Sequence, residues 1–99
     1  MNFKGKKVDG EIFYKAILCL KNEEECKKFF NDVATVNELS AMAQRIEVAQ
    51  LLDKDSPYTE IMDITGASST TISRVSKCLN FGDGGYRLIL ERLGDKEDV

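Results

Sequence analysis

Apolar residues recur every three or four positions along most of this chain, and no stretch shows the period-two alternation of a half-buried strand. The pattern predicts helices throughout. The first runs from about Gly10 to Leu20, with Ile12, Phe13, Ala16, Ile17 and Leu20 at helical spacing. Asn22 stands where a cap is needed for a second, "EEECKKFFNDVA", whose acidic first turn favours the positive end of the helix dipole. A third opens at Thr35, where Thr35 and Glu38 have capping-box spacing. Leu39, Met42, Ala43, Ile46, Ala49 and Leu52 then hold one face of it. A short fourth helix, in "DSPYTEIMDITG", has Ser56 as its predicted N-cap, Pro57 at the first helical position and Gly66 as its terminator. The turn Gly66-Ala67-Ser68 leads into "STTISRVSKCLN". Gly82 to Gly85 breaks the chain, and "YRLILERL" makes the last helix. The expected class is all-α with six helices, and the length of 99 residues suits one domain over 1–99.

Several helices are apolar on more than one side. Phe29 and Phe30 are adjacent, so on a helix they point about 100° apart. "IFY" at 12–14 and "ILCL" at 17–20 have the same breadth. A chain of this size has few elements to cover both sides, so the pattern predicts an intertwined homodimer.

The stretch "TGASSTTISRVSKCL", Thr65 to Leu79, carries the functional reading. Two short helices joined by a three-residue, glycine-containing turn make a helix-turn-helix, here over about 57–80. Ile61, Met62, Ile72 and Val75 are the positions expected to pack its helices together. The second helix begins with four hydroxyl side chains, Ser68, Ser69, Thr70 and Thr71, and has no apolar residue before Ile72. A polar front suits a DNA major groove, where hydroxyls bond phosphates and base edges. Ser69, Thr70, Ser73, Arg74 and Lys77 are expected on the outer side. The alternative is a helical hairpin serving protein interaction or assembly only, without DNA binding.

Charge modifies this picture locally. Net charge is −3. Residues 66–87 nevertheless carry Arg74, Lys77 and Arg87 against Asp83 alone, and the N-terminus carries Lys4, Lys6 and Lys7. Phosphate contact is a local requirement, so an acidic body does not exclude it. The chain has no histidine, three cysteines (Cys19, Cys26, Cys78) without C-x-x-C spacing, and no phosphate-loop or nucleophile-elbow motif. No metal site, cofactor or enzymatic activity is therefore expected. No apolar run approaches membrane-span length, and no signal-peptide pattern opens the chain, so a cytoplasmic location is expected.

From Thr35 to about Asn80 the sequence resembles the Trp-repressor superfamily, in "TVNELSAMAQRIEVAQLL" and "TEIMDITGASSTTISRVSKCL". The trailing "FGDGGYRLILERL" is similar to the small Trp-repressor-related proteins of the YerC/YecD type. The resemblance implies a six-helix fold, an intertwined homodimer and recognition of a palindromic operator in double-stranded DNA, as a regulator and most simply a repressor. It puts Ser69, Thr70 and Ser73 at base-facing positions and Thr59 where the preceding helix meets the DNA backbone. Met62 falls where the tryptophan repressor has a basic phosphate contact. Arg45 and Arg74 match the arginines flanking that repressor's ligand, and Thr35 a residue near the ligand's polar end. Two matched positions differ. Val75 replaces a glycine that makes room, and Cys78 replaces a serine that can bond the amino group. The resemblance thus leaves room for a small-molecule effector, but tryptophan is not the expected one.

Overall fold

The computed structural model describes residues 2–3, 6–7 and 10–97, and side chains over residues 10–94. The chain divides into two compact units, residues 1–36 and 37–99. In the first, β1 (Asn2–Phe3) and β2 (Lys6–Lys7) pair antiparallel, Asn2 opposite Lys7 and Phe3 opposite Lys6. These pieces depart from the strand-free expectation, since two residues are too few for alternation to register. Helix α1 spans Glu11–Leu18 and closes in tighter i→i+3 bonds, Cys19 N to Ala16 O and Leu20 N to Ile17 O, both 3.1 Å. Helix α2 spans Glu23–Val33. Asn22 Oδ1 accepts from Glu25 N at 2.9 Å, and the Glu25 carboxylate accepts from Lys21 N at 2.9 Å. Phe13, Tyr14, Phe29 and Phe30 form a ring cluster with centroids 5.3–6.5 Å apart. Even so, no residue of α1 or α2 is buried, and Ile12 and Leu18 are 68% and 84% exposed.

The second unit holds α3 (Val36–Asp53, entering at Asn37), α4 (Tyr58–Thr65), α5 (Ser69–Phe81) and α6 (Gly85–Glu97). Its core is Val48 and Ala49 from α3, Ile61 from α4, Ala67 from the turn, and Ile72 and Val75 from α5. Leu51, Leu52, Tyr86 and Leu90 pack against that cluster, and Leu79 is also buried. Two expectations change. Met62 is 40% exposed, and Ala67 rather than Met62 closes the contact between the short helices. On α3 the predicted face reaches the core only at its C-terminal end. Ala49 is buried there beside Val48, whereas Met42 and Ile46 each remain 39% exposed.

The α3–α4 connection also differs from the sequence reading. Asp55 N donates to Leu52 O and Ser56 N to Leu51 O, each at 3.0 Å, with Asp55 in the left-handed region at φ 58°. These bonds make a Schellman closure with aspartate where glycine is usual. The N-cap of α4 is Pro57 rather than Ser56, with extended ψ of 151° and its carbonyl accepting from Ile61 N at 3.0 Å. Pro57 therefore precedes the first helical position.

Gly66 ends α4 at φ 74° and ψ 5°, and nothing lies within 4 Å of the place a Cβ would occupy. Only backbone conformation requires glycine there. Gly66→Ala should destabilise the protein by about 1–2 kcal/mol, and Gly66→Asn by less, because asparagine tolerates the left-handed region. Denaturant unfolding measures both, and equal losses would contradict the backbone explanation.

Candidate nucleic-acid interface

The turn before α5 is held by side chains as well as by glycine. The Thr65 hydroxyl donates to Ile61 O at 2.7 Å and accepts from Ala67 N at 3.1 Å. The Gln44 amide, from α3, donates to Thr65 O at 3.1 Å. Ala67 is buried beneath this turn. Ser68 is extended, at ψ 159°, and its Oγ accepts from Thr71 N at 3.1 Å while donating to Thr71 Oγ1 at 3.2 Å. The four hydroxyls at the front of α5 thus divide in two. Ser68 and half-buried Thr71 build the N-cap, whereas Ser69 and Thr70 are exposed and make no side-chain hydrogen bond among the described residues.

Along the outer side of α5, Ser73, Arg74 and Lys77 are exposed, and Thr59 is exposed on α4. Among the described residues none of their side chains has a hydrogen-bond or ion-pair partner. Three lysines elsewhere are matched: Lys15 with Glu11, Lys27 with Glu23 and Lys28 with Glu24. Arg87 is matched too, with its Nη1 2.7 Å from Asp53 Oδ1. The local positive charge of residues 66–87 is therefore smaller than the sequence count, because Arg87 is neutralised and Arg74 and Lys77 remain. Helix α4 adds exposed Glu60 and Asp63, the latter one turn after Thr59. Opposite charges thus stand on the two short helices, with the cations confined to α5.

The effector-matching residues are only partly brought together. Arg45 and Arg74 line one groove of about 180 Å³ with Ala41, Gln44 and Thr71. Arg45 Nε donates to Ala41 O at 3.3 Å, one turn back on its own helix. Val75 does not line this groove; it is 1% exposed, inside the core. Cys78 lines a different groove, apolar and of about 550 Å³, with Ile46, Tyr86 and Ile89. Thr35 belongs to the first unit and is exposed. Gln44 was missed by sequence reasoning, although its bond to Thr65 fixes the turn and it lines the arginine groove. The only signal was a polar residue flanking the apolar stripe of α3, which any solvated helix shows. Among the described residues no helix is long and apolar enough to cross a membrane.

Comparison with known proteins finds relatives over most of the chain. The family model "Trp repressor protein" matches residues 10–94. The uncharacterized protein YerC of Bacillus subtilis (strain 168) is 45% identical over 94 residues, covering 95% of this chain and 88% of its own. The crystal structure of a proposed Trp repressor from Staphylococcus aureus superposes with a TM-score of 0.82 at 42% identity, covering 85% of this chain and 84% of that one. A TrpR-like protein from Eubacterium eligens ATCC 27750 gives a TM-score of 0.82 at 48% identity, covering 85% and 87%. A polar-fronted α5 held by a glycine turn on an all-helical core, and a match through nearly all six helices, place this chain in the Trp repressor family.

Proposed function

We propose that this protein is a sequence-specific DNA-binding regulator of transcription, a repressor in the cytoplasm, built as a single Trp-repressor-like domain and acting as an intertwined homodimer on a palindromic operator. One observation carries the reading. Among the described residues, the exposed side chains of Ser69, Thr70, Ser73, Arg74 and Lys77 share one outer side of α5 and have no hydrogen-bond or ion-pair partner. Donors and cations held ready on one helix face suit base edges and phosphates. Ser68 and Thr71 serve first as the cap, and any DNA contact they add goes through the helix N-terminus they complete.

The experiment is capture of sheared genomic DNA by the purified protein, followed by affinity measurement across salt. Affinity for the enriched fragment should fall steeply with salt as phosphate contacts release counterions. Thr70→Ala and Ser73→Ala should each lower preference for that fragment over random duplex by about 1 kcal/mol. Lys77→Ala should weaken both DNAs alike and reduce the salt slope by about two, one for each copy in the dimer. Unchanged discrimination in the Thr70 and Ser73 variants would defeat the groove assignment. Absence of any DNA binding would favour the assembly reading.

The dimer is supported by the lack of any buried residue in α1 and α2, although both carry large apolar side chains. Burial of those faces by a second copy joins dimerisation to folding. Phe30→Asp should place a charge in that interface and unfold the protein. Sedimentation of the wild type should give a dimer at micromolar concentration, and a folded monomer there would overturn the assembly.

Any effector is a small molecule other than tryptophan. Val75 fills core space, and Cys78 faces a groove separate from the one lined by Arg45 and Arg74. Overpacking and an unmet amine together remove on the order of 2–5 kcal/mol of affinity. Calorimetry with L-tryptophan should give no binding tighter than about 100 micromolar. Tighter binding would show that Val75 leaves the site open.

A further inference from the structure

Helix α5 is held to its unit by the apolar stripe Ile72, Val75 and Leu79. Apolar contacts are non-directional, so they fix how closely the helix lies but tolerate a small roll about its axis. A base edge is less forgiving. A roll of about 10° moves an atom roughly 6 Å from the axis by about 1 Å. That exceeds the window of roughly half an ångström within which a hydrogen bond forms.

A directional restraint is present at the far end of α5. Arg87, on α6, donates from Nη1 to Asp53 Oδ1 at 2.7 Å and from Nη2 to Asn80 Oδ1 at 3.2 Å. Asn80 Nδ2 in turn reaches Ser76 Oγ at 3.5 Å. Asp53 is the last residue of α3, and the Schellman closure that follows pins its backbone. Asn80 lies seven residues, two helical turns, after Ser73 and on the same side of α5. One guanidinium therefore ties the polar side of α5 to the rigid end of α3.

The geometry points to Arg87 as the positioning residue of the DNA interface: its forked bonds to Asp53 and Asn80 fix the roll that aims Ser69, Thr70 and Ser73. This rests on the DNA-binding reading of α5. Arg87 itself need not touch DNA. Its ion pair is about half exposed, with side chains 50% and 46% accessible, so it adds little to stability on its own. That separates a positioning role from a merely structural one.

Arg87→Lys keeps the charge and can still meet Asp53, but a single ammonium lacks the planar fork that reaches Asn80 as well. Asn80→Ala removes the other end. The probes are the genomic fragment most enriched by the wild-type protein and a random duplex of equal length, at one salt concentration. Each variant should lower the ratio of the two affinities by about tenfold, the size of one weakened base contact. Affinity for the random duplex should be unchanged, and the melting temperature should stay within about 5 °C of wild type. The double variant should be no worse than either single one, because both cut the same tie. Arg87→Lys with the wild-type ratio would overturn the proposal. So would loss of discrimination in Asn80→Ala alone, which would make Asn80 a direct contact. A wild-type protein with no preference between the probes would overturn the DNA-binding reading together with this one, and that arm is read first.

Discussion

Burial of one stripe of α5 is the interaction on which the rest of this molecule depends. Ile72 and Val75 are almost wholly removed from water against Val48, Ala49 and Ile61. Each fully buried side chain of this kind contributes roughly 1.5–3 kcal/mol. The contact does more than stabilise. With one side of α5 committed inward, Ser69, Thr70, Ser73, Arg74 and Lys77 stand on the outer surface, without partners among the described residues. The left-handed backbone at Gly66 and the Thr65 and Gln44 bonds turn the chain tightly enough for α4 and α5 to share that core.

Electrostatics refine the picture. The protein is acidic as a whole, with a pI near 5.0. Three of its lysines stand beside glutamates one helical turn away, in exposed pairs. Arg74 and Lys77 remain, faced across the motif by Glu60 and Asp63 on α4. This local positive field supplies the sequence-independent, salt-sensitive part of binding, and preference among sequences rests on contacts at the front of α5. It also rests on how accurately that helix is held.

Much of the fold was legible because helix punctuation is local chemistry. Asn22, Gly66 and Ser68 mark boundaries that the structure keeps, since each acts through its own backbone or a bond a few residues away. Helix faces were less legible. Met62 and Ala67 exchanged roles because the turn, rather than periodicity, decides which residue lies under it. Ser56 went to the Schellman closure because Asp55 took a backbone conformation that no glycine announced. At the site, the outward set on α5 followed from helical spacing, but the split of its hydroxyls between cap and surface did not. Nor did the neutralisation of Arg87, whose partners Asp53 and Asn80 lie 34 and 7 residues away. Pairings at such separations leave no periodic trace.

The central claim is that the front of α5 enters a major groove. Dimethyl sulfate reads that groove directly, because guanine N7 is accessible only there. With the enriched fragment bound, the account predicts two patches of guanine N7 protection about one helical turn apart, one for each copy of α5. Both patches should weaken in Ser73→Ala at matched occupancy. A bound complex with every guanine N7 still reactive would contradict the account.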